Sequence, residues 1–328
     1  MRQTTGTVMS AMLLLALFGC NSSQQNTGNP APKVSTGKDA NTVGKKITIG
    51  MSQCTTKEPW RVQMNQDIQD AAAQHPEITI VLKDADNKSE NQQSQVRELV
   101  QQKVDLIIIS PKEARPLTKP VGEAMDQGIP VIVLDRKIEG GKYTCYIGGD
   151  NVKIGTEAGK FMAKLLGGKG DIVELQGLVT STPSQERHNG FVEGIKGSQI
   201  KTIANPDCQW QEENARQEMT SALQRFPKID AVYAHNDPSA HGAWKAAQLE
   251  GKGREKTIKF IGIDALPKEG VRYVKEGILT ATFQYPTGGK EAIETALKIV
   301  AKQPVEKNVT LGTRIFTKDN AEKGGEAL

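Results

Sequence analysis

From residue 46 onward, short apolar runs alternate with segments of helical spacing. Residues 47–51, 78–82, 106–109 and 131–134 are runs of four or five largely apolar residues, and the last two are apolar throughout. Between them, 59–74, 90–102 and 117–127 read as helices. Pro59 suits a first turn, Val96, Leu99 and Val100 recur at helical spacing, and Gly128 stops the third just before Ile129 and Pro130. Continuous apolar runs mark strands buried on both faces, and their alternation with helices argues for a parallel sheet covered on both sides. Residues 137–149 are less regular and hold one short strand, 145–147. The alternation then restarts, with helices at 151–166, 183–195, 212–226, 239–250, 268–276 and 287–301. The strands of this second half are 172–175, 200–204, 231–234, 258–263 and 280–283. The pattern predicts an α/β chain of two doubly wound parallel-sheet lobes, divided near residue 149.

The ends of these strands carry the candidate chemistry. The first strand leads to Glu58 and Trp60, the third to Ser110, and the fourth, in PVIVLDR, directly to Asp135 and Arg136. In the second half the strands lead towards Arg187, to Asn236 and Asp237, and to Asp264. Open α/β sheets bind ligands outside the carboxyl ends of their strands. Charged strand ends are also common in loops without a function, where Asp135 and Arg136 would simply pair in solvent. Two such edges facing each other would instead line a cleft with Asp, Asn, Arg and Trp. Carboxylates and amides suit hydroxyl groups, Arg donates several bonds in a fixed fork, and an indole face packs on C–H groups. That is the chemistry of a polyhydroxylated ligand.

Composition narrows the picture. With 328 residues, 37% of them hydrophobic and 24% charged, the chain is long enough for two globular units. Its net charge of +4 comes from scattered bases, so no nucleic-acid face is expected. Residues 1–20 read as a targeting segment, with Arg2 in a basic start, a short apolar stretch at 8–18 and a cleavage site ending in Cys20. Leu17-Phe18-Gly19-Cys20 resembles the lipobox of bacterial lipoproteins, which makes Cys20 the expected lipidation site. Residues 21–45 are polar and read as a flexible tether. Cys54, Cys145 and Cys208 have neither CxxC spacing nor a nearby His. No metal site is expected, and no disulfide can be assigned among them. GxGxxG, the P-loop and the G-x-S-x-G elbow are absent. No cofactor is expected and no nucleophile–base pair is evident, so the chain does not read as an enzyme. His235, beside Asn236, reads as packing behind the site.

Several segments resemble one family in the right order: VIVLDR (131–136), YIGGDN (146–151), IVELQG (172–177), ERHNGF (186–191), VYAHND (232–237), FIGID (260–264) and ATFQYP (281–286). From about residue 46 to its end, the chain is similar to the sugar-binding proteins of ABC transporters, the type that includes ribose and galactofuranose binders. The resemblance implies a type I periplasmic-binding-protein fold with a three-crossing hinge, the first lobe being 46–149 plus 285–313 and the second 150–284 plus 314–328. It implies that Asp135 and Arg136 bind hydroxyls from the first lobe. Arg187, Asn236, Asp264 and Gln284 would bind from the second lobe and hinge, with Trp60 and Trp210 as stacking aromatics. Ribose binders carry Asn where this chain has Glu58, an aromatic where it has Arg61, and another where it has Ile263. Glu58 and Arg61 therefore make the expected site more charged, although the two could instead form a helix-surface pair. The implied protein is a monomer in the periplasm or on the cell surface, held by its lipid anchor, that delivers a monosaccharide to a membrane permease. The alternative is a sugar or furanosyl-signal receptor for a chemotaxis or sensor-kinase partner. A sugar-responsive repressor would need an N-terminal helix-turn-helix in place of the expected signal and tether.

Overall fold

The structure, a computed structural model, describes residues 46–328. The expected targeting segment 1–20 with Cys20 and the tether 21–45 lie outside the described residues.

The first lobe is built on strands β1 (Ile47–Gln53), β2 (Ile78–Asp84), β3 (Leu106–Ser110), β4 (Val131–Leu134) and β5 (Cys145–Gly149), with helices α1 (Pro59–Ala73), α2 (Ser89–Gln101) and α3 (Ala114–Asp126). The chain then forms α4 (Asn151–Leu165), β6 (Lys169–Leu175), α5 (Thr182–Gly194), β7 (Gln199–Ala204), α6 (Glu212–Arg225), β8 (Ala231–Ala234), α7 (Asp237–Leu249), β9 (Lys259–Asp264), α8 (Gly270–Lys275) and β10 (Ala281–Gln284). It closes with α9 (Gly289–Val300), β11 (Asn308–Leu311), β12 (Arg314–Thr317) and β13 (Glu326–Ala327). One sheet has the order β11-β5-β4-β3-β1-β2 and is parallel throughout. The other has the order β13-β12-β10-β9-β8-β6-β7, with β12 and β13 antiparallel to their neighbours. Among the described residues the chain therefore passes between sheets three times: after β5, after β10 and after β11. The hydroxyl of Thr313, on the third passage, donates to the carbonyl of Gln284 on the second at 2.5 Å.

Apolar strands are required because helices cover both faces of each sheet. Leu106, Ile108, Ile132 and Leu134 pack in a core with Met64 and Ile68 of α1 and Ile293 of α9. The alternate residues Ile107, Ile109, Val131 and Val133 pack with Val96 and Leu99 of α2 and Leu117 and Val121 of α3. In the second sheet Ile172, Tyr233 and Phe283 share a core with Ile154 and Phe191. Val173, Val232 and Phe260 pack with Met219 and Ala243.

The helix pair α4–α5 is held unusually close. A Cβ on Gly155 would stand 2.3 Å from the carbonyl oxygen of Arg187, and one on Gly190 would stand 2.2 Å from that of Val152. The next turn repeats this, with Gly194 against the Thr156 carbonyl at 2.3 Å. The two backbones touch, and that contact sets the height of Arg187 above the sheet.

The elements depart from the sequence expectation in a few places. Helix α3 starts at Ala114, three residues before the expected 117, because Pro116 falls in the first turn, where its missing N–H is not needed. It continues through Pro120. Strand β6 starts at Lys169; Gly167 and Gly168 (φ 61° and 79°) make the turn, and Lys169 and Gly170 already pair with β7. Helix α8 is shorter than the expected 268–276. Strands β11 to β13 had no counterpart in the pattern. β11 alternates between exposed and half-buried residues and β13 is fully exposed, so they lack the apolar run that marks the inner strands.

Candidate functional site

The carboxyl ends of both sheets border one small cavity of about 40 Å³. On the first-lobe wall, Pro59 opens α1, so Trp60 and Arg61 stand in its first turn. Arg61 is only 2% exposed. Its Nη1 donates to Gln53 Oε1 at 3.0 Å and Ser110 Oγ at 2.7 Å, and its Nη2 donates to Asp135 Oδ2 at 2.8 Å. Glu58 Oε2 is 3.4 Å from its Nε, so the i, i+3 pair exists, but within the wall and not on the helix surface. Asp135 follows β4 with φ at 69°, a conformation that Asp and Asn tolerate better than most residues. Its carbonyl accepts from the hydroxyls of Tyr146 at 2.8 Å and Tyr285 at 3.3 Å, and its carboxylate also accepts from Ser110 Oγ at 3.1 Å. Burial would raise the Asp135 carboxyl, but Arg61 and Arg136 outweigh it and hold the group below the usual range. Arg136 spends Nη1 on the Lys112 carbonyl at 2.9 Å.

On the facing wall, Arg187 of α5 donates from Nε to Asn151 Oδ1 at 2.9 Å and from Nη1 to the His235 carbonyl. Its Nη1 lies 3.9 Å from Asp264 Oδ1, and its guanidinium stands 4.6 Å over the Tyr285 ring. Asn236 caps α7 by accepting from Ser239 N at 3.1 Å, and its amide donates to the Trp210 carbonyl at 3.1 Å. It thereby holds the loop in which Gln209 and Trp210 both take positive φ, 53° and 67°. Asp264 ends β9, and burial pushes its carboxyl well above the ordinary value despite Arg187. Trp60 reaches from the first lobe to donate Nε1–H to the Tyr285 carbonyl at 2.9 Å.

Behind the second wall runs a buried hydrogen-bond chain. His235 Nε2 pairs with Glu174 Oε1 at 2.9 Å, and His188 Nδ1 meets the same carboxylate at 2.9 Å. Both Glu174 and His235 are 0% exposed. Against the penalty of burial, the two imidazoles bring Glu174 down to about 2. Burial also lowers His235, so the neutral ring donates from Nε2 and accepts at Nδ1 from the backbone N–H of Gly177 at 3.3 Å. Ser184 Oγ lies 3.2 Å from the same Nδ1. Sequence reasoning had found no serine–histidine pair; here it is an enclosed support behind Arg187, with Ser184 itself 1% exposed.

Nine of the residues nominated from sequence border the cavity: Glu58, Trp60, Arg61, Asp135, Arg136, Arg187, Trp210, Asn236 and Asp264. Gln284 does not. It lines a neighbouring hollow beside the hinge, whereas the next residue, Tyr285, borders both that hollow and the cavity. Gln284 closes β10 and its carbonyl is taken by Thr313 of the third passage, which sets it against the hinge. Sequence reasoning missed Tyr285, although an aromatic just past a strand end was a usable signal. It also missed Asn151 and Glu174, which act through Arg187 and His235. Cys54, Cys145 and Cys208 are buried free thiols. Among the described residues no cluster of metal-ligating side chains occurs, and no helix is long and apolar enough to cross a membrane.

Two lobes wound in parallel, joined by three passages and closed over a polar cavity, define a two-lobed α/β binding protein. A family model described as a periplasmic binding protein domain matches residues 49–304, and the chain belongs to that family. It is 32% identical over 275 residues to the ribose import binding protein of Bacillus subtilis, covering 83% of this chain and 88% of that one. It is 33% identical over 229 residues to a galactofuranose-binding protein of Escherichia coli, covering 67% and 72% respectively. Among solved structures, the fructose-binding periplasmic domain of a hybrid two-component system superposes with a TM-score of 0.82 at 43% identity, covering 85% of this chain and 93% of that one.

Proposed function

We propose that this protein is a solute-binding protein that encloses a monosaccharide between its two lobes and hands it to an ABC permease. One observation carries this reading: the cavity brings hydrogen-bonding carboxylates and guanidiniums of both lobes together with two indoles. Polar groups of this kind match hydroxyls, while indole faces match the apolar C–H patches of a sugar ring. The relatives named for ribose and galactofuranose support the ligand class. Closure is a population shift: a ligand that touches both walls favours the closed form by the contacts it makes only there. Cys20 is the proposed lipid anchor, with 21–45 as tether. The protein then works as a monomer at the membrane face of the periplasm or on the cell surface.

A thermal-shift screen against pentoses, hexoses, furanoses and sugar acids tests the ligand class, because a ligand of the native state alone raises the melting temperature. A shift with one or a few neutral sugars is the expected result. The absence of a shift across the panel, or turnover of a sugar, would overturn the reading. For the anchor, Cys20→Ser protein should leave the membrane fraction, and its retention there would refute lipidation.

A second reading, delivery of ligand occupancy to a sensor kinase, is favoured by the 43% identity to the periplasmic domain of a two-component system. Loss of sugar uptake in a strain lacking the protein supports transport. Intact uptake with a lost transcriptional response supports sensing.

A further inference from the structure

We infer that Trp210 does more than offer its face: its indole N–H is a hydrogen-bond donor to the bound sugar, and the site selects a ligand with an acceptor oxygen at that point. The inference rests on the reading of the cavity as a sugar site.

The two indoles of the cavity differ in one respect. Trp60 Nε1–H is occupied by the Tyr285 carbonyl at 2.9 Å. Trp210 is 8% exposed, and its Nε1 is buried without any hydrogen-bond partner. Buried donors in folded proteins are nearly always paired, so an orphan in a cavity wall points to a ligand that completes it.

The ring is placed with care. Its six-membered end lies where a Cβ of Gly177 would be, with Cη2 and Cζ3 both 2.3 Å from that position. The guanidinium carbons of Arg136 and Arg187 each stand 5.5 Å from the ring centre. The Asn236 amide fixes the backbone beneath it. The far end of the ring is seated over Gly177, Trp210 lines the cavity, and the unpaired Nε1 belongs to the pyrrole ring at the other end. An indole N–H can only donate. Its partner must therefore be an oxygen with a free lone pair, either a hydroxyl or the ring oxygen of the sugar. A site built to bond a particular oxygen discriminates sharply against the analogue that lacks it.

The test compares wild-type protein with Trp210→Phe and with protein carrying at position 210 a tryptophan analogue whose N–H is replaced by sulfur, which keeps shape and stacking. The probes are D-ribose, D-fructose and L-arabinose with their monodeoxy and carbocyclic forms, measured by calorimetry, with melting temperatures as a check on folding. For the sugar that wild-type protein binds, both variants should lose about tenfold in affinity. For one deoxy or carbocyclic analogue, the one lacking the partner oxygen, wild type and variants should bind alike. The inference is overturned if the sulfur analogue binds the parent sugar as wild type does, or if its deficit is the same for every analogue. Should wild-type protein bind none of the probes, the sugar reading itself fails and this inference falls with it.

Discussion

Asp135 and Asp264 stand at equivalent strand ends, yet their surroundings give them opposite characters. Asp135 is the counter-charge of a buried arginine, so its removal affects folding as well as binding. Asp135→Ala should cost about 3–5 kcal/mol of stability, the usual penalty for stranding one member of a buried pair. It also forces Ala into a left-handed conformation. Asp135→Asn should be milder in denaturant melts, because Asn tolerates that conformation and still accepts from Arg61. Asp264 is a raised carboxyl. Its unfolded form loses a proton at a lower pH than the folded form, so stability falls as pH climbs from the unfolded value through the folded one. Asp264→Asn removes that loss. The ligand-free variant should melt above wild type at neutral pH, with the gap closing towards pH 4, while sugar affinity drops. Equal melting curves across that range would contradict the account. At this scale the charged strand ends were legible, because a run such as VIVL followed directly by Asp-Arg fixes both burial and position. Gly177 under Trp210 and Glu174 behind His235 were not. Each pairing joins residues more than thirty apart, and it exists only once the second sheet has formed.

Among the elements, α4 and α5 decide the geometry of the second wall. Their glycines let the backbones touch, and Arg187 sits on α5 one turn before Gly190, bonded to Asn151 at the start of α4. Gly190→Ala should cost about 1–3 kcal/mol, as overpacking does, because the obstacle is a backbone carbonyl that cannot rotate away. It should also weaken sugar binding several-fold by lifting Arg187, whereas Gly251→Ala, at an exposed turn, should leave affinity unchanged. A Gly190→Ala protein with normal affinity would detach Arg187 from the helix contact. Inner strands and most helices were readable from period alone. β11 and β13 were not, since edge strands facing solvent need no apolar run, and β12, though paired on both sides, offers only Ile315 and Phe316 as buried apolar residues. The early start of α3 was hidden by Pro116, which a first turn accepts.

For the whole molecule, the lobes meet outside the cavity as well. Lys137 Nζ is 2.5 Å from Glu186 Oε1, and the Lys137 N–H donates to Thr182 Oγ1 at 3.1 Å. The ion pair is partly open to solvent, so its contribution is small and screened. Lys137→Met should raise the dissociation constant about two- to fivefold at low salt, and the difference should shrink at 0.5–1 M salt, both read by calorimetry. A deficit that ignores salt would mean the pair does not help hold the lobes shut. The two-lobe plan was legible because the alternation restarts after residue 149. The return of β11 to the first sheet was suggested only by family resemblance, since nothing in the NVTL segment itself specifies which sheet it joins. That return has a consequence for how the protein is made. The first sheet places β5 beside β11, so a newly emerging first lobe has an unpaired inner edge until residue 311 has left the ribosome. At about 5–20 residues per second this delay is on the order of ten seconds. Throughout it, the strand carrying Tyr146 and the loop carrying Asp135 lie next to an open edge, and the nascent chain is a candidate for holdase chaperones and for threading unfolded through an export channel. Chains arrested before residue 305 should be cut by protease within β5, and chains released after 328 should resist.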